Sequence, residues 1–467
     1  MSEKFDIIVI GAGPGGYVAA IKAGQAGKKV ACVDKAQLGG ICLNWGCIPT
    51  KAFLKSAEVF NTMQHAKDYG LSVSNPKADL GAIIDRSRKV SSTMVGGIEF
   101  LFKKNGVTHI QGTAKIIASN LIEVTDASGE VSLVETEKVI VSTGASPVSL
   151  PFAPVDGENI ISYRQALESR TQPKKMLVIG AGAIGVEFSY FFNAIGTEIH
   201  LVEMADQLLP IEDEDSAKVL AREFKKQGIN VYTSSKTKSV EVVKKGKIKV
   251  VIENAKGKEI TVEVDRVLSA VGMKANTAGI GLDQAGVKLD ERGNIIVNEY
   301  QQTSNPGIYA IGDCAGKQML AHKASAEGEV AVAHICGENV HGVDYGQIPG
   351  CTYCQPQVAG IGLTEAKAKE AGLNIKVGKF PFTASGKAHG VGHPEGMVKL
   401  IFDASTEAII GAHIVGYDAT EMIAELGLAM KLEATWEEIA HTVHAHPTLS
   451  EATMEAAMDS AGKAIHI

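Results

Sequence analysis

Short apolar runs recur along the chain, and between them the apolar spacing switches from continuous to helical. The first run, FDIIVI (5–10), is rich in β-branched residues and predicts a strand. GAGPGG follows, then the alanine-rich YVAAIKAGQAG with helical spacing, then a second run, KVACVD, ending at Asp34. The same order returns at 176–203 as MLVIG, GAGAIG, VEFSYFFNAIG and TEIHLVE, ending at Glu203. Strand–turn–helix–strand is thus predicted twice. The first glycines, Gly11 and Gly180, stand 169 residues apart, and so do the two closing acids. Helices are expected over 47–66, 85–104 and 319–336, and short strands over 107–142 and 237–271. Residues 294–311 lead through IIVN and IYAI to GDCAG. From about 346 the pattern changes to strands broken by Gly and Pro (VAGIGL, MVKLIF, AIIGAHIV), then three amphipathic helices. The expected class is α/β, with two Rossmann-like dinucleotide-binding units and a separate C-terminal α+β domain over 346–467.

The glycines give each turn a chemistry. Gly11, Gly13 and Gly16, and again Gly180, Gly182 and Gly185, occupy the G-x-G-x-x-G positions. The first allows the tight turn, the second lets a pyrophosphate approach the backbone, and the third brings helix and strand together. The phosphates then lie at a helix N-terminus, where free N–H groups favour anions. Asp34 and Glu203 are placed to accept from ribose hydroxyls. Glu203 would repel a 2′-phosphate, and MADQ after it offers no Arg to rescue one, so NAD rather than NADP is expected at the second site.

Composition narrows the class. Of 467 residues 50 are Gly, about one in nine against a typical ~7%, which suits many tight turns. A net charge of −7 implies no basic face for nucleic acid, and no stretch of 18 apolar residues suggests a membrane span. MSEKFDIIVIGAGPGG imitates a secretory signal, but Asp6 and the close glycines disrupt that reading. Seven cysteines are too few and odd in number for a secreted disulfide framework. A reducing, cytoplasmic setting is expected, where a disulfide that forms is a catalytic one.

Cys42 and Cys47, in GGICLNWGCIPTK (39–51), are five residues apart. A zinc site would need a second ligand pair. Cys351 and Cys354 offer one, but they lie in another expected domain with no His cluster nearby. On a regular helix five residues rise about 7.5 Å, beyond the roughly 4.4–6.8 Å Cα separation of a disulfide. The two can bridge only if the backbone breaks between them, and Gly46 makes that cheap. Cys47 would then begin a helix, where a thiolate is favoured, with Lys51 one turn on. This pattern fits a redox-poised pair better than a structural staple or a metal half-site. Such a pair beside a dinucleotide site calls for a two-electron coupler, and the first site could hold FAD.

GGICLNWGCIPTK, taken with GAGPGG, VSTGAS (141–146), YAIGDCAG (309–316), LAHKASAEG (320–328) and HAHPTLSE (444–451), resembles the pyridine nucleotide–disulfide oxidoreductase family over essentially the whole chain. The wording is most similar to members that oxidise the dihydrolipoyl arms of 2-oxo acid dehydrogenase or glycine cleavage complexes with NAD+. The resemblance implies an FAD domain (1–147 and 275–345), an NAD domain inserted into it (148–274) and a homodimer interface domain (346–467). It implies FAD on Gly11, Gly13, Gly16, Asp34, Gly144 and Asp313, and NAD on Gly180, Gly182, Gly185 and Glu203. Lys51 would lie at the flavin's reactive edge, paired with Glu187. Cys42 and Cys47 would be the redox disulfide. His446 would be the base, oriented by Glu451 and supported by His444, with a cis His446–Pro447 bond. No metal is implied.

Three places depart from the family pattern. Asp34 stands where many relatives have Glu. SAVGMKANT (269–277) replaces the usual G-R-x-P-N wording. CTYCQPQVAG (351–360) carries two cysteines, expected to be packing groups under the interface sheet. Two other functions remain in view. An NADPH-dependent disulfide reductase of the glutathione type is opposed by Glu203 and by LNWGCIPTK. A catalytically idle subunit of a larger complex is opposed by the intact cysteines, His446 and Glu451.

Overall fold

The first apolar run becomes strand Glu3–Ile10 of the computed structural model, which describes residues 3–467. It pairs in parallel with Val30–Asp34 on one side and Val131–Val141 on the other. Val107–Gln111 and Ile308–Ala310 extend the sheet, again in parallel. Val131–Val141 changes character along its length. Its first half alternates and pairs antiparallel with Leu121–Thr125, while its last residues, Val139–Val141, are apolar and fully buried in the parallel part. The second repeat forms its own parallel sheet, in the order Asn230–Tyr232, Glu198–Val202, Lys175–Ile179, Arg266–Ser269, Ile160–Ile161. Strands Lys236–Lys244, Lys247–Glu253 and Glu259–Val264 make a separate antiparallel sheet.

Two compact units divide the chain. One is Met1–Ala52, Gly81–Val148 and Gly272–Val343; the other is Phe53–Leu80, Ser149–Val271 and Asp344–Ile467. The expected helices run Cys47–Gln64, Leu80–Lys104 and Ala321–Ile335. IIVN forms no strand. Ile295 makes one isolated bridge to Leu289, and Asn298 then turns the chain by accepting the Tyr300 and Gln302 N–H groups.

The C-terminal sheet is antiparallel, in the order 350–352, 357–362, 409–416, 397–403, 375–381. Its register sets Gly350, Gly360, His413, Lys399 and Lys379 in one row across the five strands. Acids at the start of helix Glu214–Lys226 meet this row within the second unit. Lys399 Nζ lies 2.9 Å from Asp213, 2.7 Å from Asp215 and 2.7 Å from Glu365, and Lys379 lies 2.8 Å from Asp215. Burial alone would lower the Lys399 pKa; its three carboxylate partners raise it instead.

At the other end of the row the charges do not match. His413 Nε2 donates to the Leu363 carbonyl at 3.0 Å, so its buried Nδ1 is a bare acceptor without a donor. A carboxylate oxygen of Glu212 and that Nδ1 lie 2.8 and 2.9 Å from the point where a Cβ on Gly360 would sit. Two acceptors therefore face one glycine, and burial pushes the Glu212 carboxyl up to about 7. A carboxyl raised from 4.5 to about 7 keeps its proton only in the folded chain, so its contribution is full below pH 4.5 and is lost as pH rises through 7. Glu212→Gln is thus expected to melt like the parent at pH 5 and several degrees higher at pH 8, a difference of roughly 1–3 kcal/mol. Scanning calorimetry at the two pH values checks this; a constant offset would remove the assignment.

Candidate active site

The two glycine turns have matching geometry. Gly11 and Gly180 take φ of 101° and 98°, and a Cβ on Gly16 or Gly185 would fall within 2 Å of the carbonyl of Gly11 or Gly180. Gly13 and Gly182 are different, because a Cβ there would meet nothing within 4 Å. That open side is where a pyrophosphate can reach the N-termini of helices Pro14–Gln25 and Ala183–Ala194. The acids match too. Asp34 accepts the Ala12 and Ala36 N–H groups at 2.6 and 2.8 Å; Glu203 accepts those of Ala181 and Ala205 at 2.7 and 2.8 Å. The shorter Asp34 thus makes the same two backbone bonds as Glu203. Each carboxylate keeps acceptor capacity for ribose hydroxyls.

Gly46 breaks the helix between the cysteines. Helix Gly40–Trp45 ends there, with φ −139° and ψ −116°, and Cys47 opens helix Cys47–Gln64. Both cysteines are thiols in this structure. Cys42 is half-buried and Cys47 exposed, and their side chains are hydrogen-bonded. That bond, burial and the Cys47 charge push the Cys42 thiol up, while Lys51 pulls it down.

Sequence reasoning missed the groups that hold this turn. Buried Asn44 donates to the Leu38 and Gly40 carbonyls at 3.0 Å each, and Arg88 donates to the Asn44 carbonyl at 2.5 Å. Tyr17 lies beside the cysteines: burial raises its hydroxyl pKa, and both sulfurs add to the effect. The N in LNWGC was a readable signal for the first; nothing in the sequence pointed to the others.

In the same unit, Gly144 has φ 70° and faces open space. Asn276, from the departing SAVGMKANT loop, ties that turn down. Its amide donates to the Thr143 carbonyl at 3.0 Å, and Ser146 donates to its Oδ1 at 2.7 Å. Asp313 sits at the carboxyl end of the parallel strands, where ligands of such sheets bind. Burial raises its pKa, with Lys323 opposing and Glu327 adding.

In the second unit Glu187 is buried and accepts the Tyr353 N–H at 2.9 Å, a contact with no sequence signal. His446 Nδ1 lies 2.9 Å from Glu451 Oε1, and Glu451 Oε2 accepts the Thr448 N–H at 2.8 Å. Burial would raise Glu451; the Thr448 N–H and His446 outweigh it and hold the carboxyl below its ordinary value. With Nδ1–H donating to Glu451, the basic Nε2 faces outward on a side chain 80% exposed. The His446–Pro447 bond is cis. His444 is engaged by Glu425 at 2.6 Å. Cys354 is buried and donates to the Pro356 carbonyl, and Cys351 packs on the C-terminal core. Among the described residues no group of three or more His, Cys, Asp or Glu is arranged to hold a metal ion.

Comparison with known proteins agrees with this layout. A family model described as pyridine nucleotide-disulphide oxidoreductase matches residues 5–328, and the dimerisation-domain model of that name matches 348–457. A dihydrolipoyl dehydrogenase of Rhizobium etli is 45% identical, with 100% of each chain covered. The mitochondrial dihydrolipoyl dehydrogenase of Pisum sativum is 42% identical over 100% of this chain and 93% of its own. Among solved structures, LpdA from Mycobacterium tuberculosis superposes with a TM-score of 0.90 at 30% identity, covering 97% of this chain and 99% of that one.

Proposed function

Since the chain belongs to the pyridine nucleotide-disulphide oxidoreductase family, we propose that it oxidises dihydrolipoyl groups to the cyclic disulfide, with FAD and NAD+ as cofactors. The observation that carries this reading is the Gly46 break, which brings Cys42 and Cys47 together at a helix N-terminus in the unit that holds the first nucleotide turn.

The residues divide the work as follows. In the oxidised enzyme Cys42 and Cys47 share a disulfide. His446 Nε2, supplied by the second copy of a homodimer, takes the proton from a substrate thiol, and Glu451 stabilises the imidazolium. The substrate thiolate attacks the Cys42 sulfur, breaking the Cys42–Cys47 bond. Cys47 leaves as a thiolate, favoured by the N-terminus of its helix and by Lys51. The second substrate thiol displaces Cys42, closing the product disulfide and leaving two electrons on the cysteine pair. A bound flavin would supply the two-electron relay between Cys47 and NAD+. Gly11, Gly13, Gly16, Asp34, Gly144 and Asp313 would bind and orient the flavin, and Gly180, Gly182, Gly185 and Glu203 would do so for NAD. Residues 1–147 with 275–345, 148–274 and 346–467 serve as FAD, NAD and interface domains. The partners are the lipoyl domains of a 2-oxo acid dehydrogenase or glycine cleavage complex, in the cytoplasm.

Steady-state turnover with free dihydrolipoamide tests the reading. NADH should form, and NADP+ should be used roughly a hundredfold less well, because Glu203 would accept from a ribose 2′-hydroxyl and repel a 2′-phosphate. A preference for NADP+ would favour a glutathione-type reductase, and no turnover with either would favour an idle subunit.

A further inference from the structure

The turn that carries Asp313 is bonded at both ends to a single buried ion pair. Lys323 and Glu327 lie one turn apart on helix Ala321–Ile335, their side chains 0% and 1% exposed and 3.1 Å apart. Lys323 Nζ also donates to the carbonyls of Gly312 (3.1 Å) and Gly316 (3.0 Å). Glu327 Oε2 accepts the Gly312 N–H at 2.7 Å. Gly312 and Gly316 hold φ of 74° and 77°, so little in the turn's own backbone preference would keep this shape. The helix is in turn seated on Pro14–Gln25. A Cβ on Gly15 would lie 2.9 Å from the Ala324 carbonyl, and one on Gly328 would lie 2.9 Å from the Gly15 carbonyl. The ion pair therefore joins the Asp313 turn rigidly to the helix that follows the first glycine motif.

Fold stability does not explain such a pair. Taking two charges out of water costs about as much as their attraction returns, and apolar residues of similar volume often serve as well or better. What apolar residues cannot do is hold three backbone groups by charge-assisted hydrogen bonds. Among the described residues the half-buried Asp313 carboxylate has no hydrogen-bond donor, so it is available to a hydroxyl-bearing ligand.

We propose that Lys323 and Glu327 are positioning residues for the flavin, clamping the 312–316 turn so that the Asp313 carboxylate meets the ribityl hydroxyls in a set geometry. The inference rests on the flavin reading above and extends it to two residues that touch no cofactor.

The test uses the full chain as purified, with Lys323→Met combined with Glu327→Leu. Three quantities are read: the thermal midpoint, the affinity for FAD on adding it back to stripped protein, and the midpoint potential of the bound flavin. The double variant is expected to melt within a few degrees of the parent, bind FAD on the order of tenfold more weakly and show a shifted potential. Unchanged affinity and potential in a folded double variant would overturn the clamp. If the double variant does not fold, Glu327→Gln decides, since it keeps the volume and an acceptor for Gly312 but loses the charge that holds Lys323. Severalfold weaker FAD binding with a shifted potential is then expected, and parental values overturn the proposal. A parent chain that neither carries nor takes up FAD would sink the flavin reading itself, a result distinct from a parent that binds FAD and a variant that binds it equally well.

Discussion

Cys47→Ser is expected to abolish oxidation of dihydrolipoamide by NAD+, by about a thousandfold or more, while leaving NADH able to reduce a dye that accepts electrons from the flavin. The hydroxyl of serine can neither form the disulfide nor leave as a stabilised anion, so electrons entering from the dithiol have no path. The dye reaction bypasses the cysteines and reports that the fold and both nucleotide sites survive. Cys47 opens an 18-residue helix and is exposed, so the substitution removes no core contact. Cys42→Ser should stop turnover equally, but with a different signature. It leaves Cys47 as a thiol beside Lys51 at the helix N-terminus, able to ionise and give a long-wavelength charge-transfer absorption with the flavin. If Cys47→Ser shows that absorption and Cys42→Ser does not, the roles of the two sulfurs are reversed. If Cys47→Ser turns over dihydrolipoamide at a tenth of the parent rate, the disulfide route is wrong.

The helix break at Gly46 was legible in the sequence through arithmetic rather than pattern. Two cysteines five apart on a continuous helix stand too far apart to bond, so either they do not meet or the helix breaks, and Gly46 was the one residue between them suited to the break. The nucleotide turns were legible for a related reason: each glycine answers a local steric demand within a few residues of its neighbours. What escaped was set by register between distant segments. The row from Gly350 to Lys379 exists only once five strands are aligned, and none of its members is close in sequence to Asp213 or Asp215. The ties of Asp34 and Glu203 to Ala12 and Ala181 arise in the same way, from strand ends meeting turns.

His446→Gln should lower dihydrolipoamide turnover by about a hundredfold to ten-thousandfold, again with dye reduction by NADH intact. A thiol with an ordinary pKa near 8.5 is mostly protonated at neutral pH, so attack on the disulfide waits on a base. The geometry leaves one nitrogen free to act as that base, since Nδ1 is committed to Glu451 at 2.9 Å and Nε2 faces outward. Glutamine matches the polarity and much of the volume of imidazole but cannot take the proton. The deficit should shrink as pH is raised through the substrate's own pKa, because hydroxide then does what the residue no longer can. It should also shrink on adding imidazole to the smaller variant His446→Gly. Glu451→Gln is expected to cost less, on the order of tenfold, since its amide oxygen can still accept from Nδ1–H and fix the ring while the charge that stabilises imidazolium is lost. The loss in Glu451→Gln should appear in kcat and not in binding of the dithiol, because Glu451 acts through the His446 imidazole that it holds at 2.9 Å. A Glu451→Gln enzyme impaired only in KM would mean that the pair binds the dithiol rather than activating it.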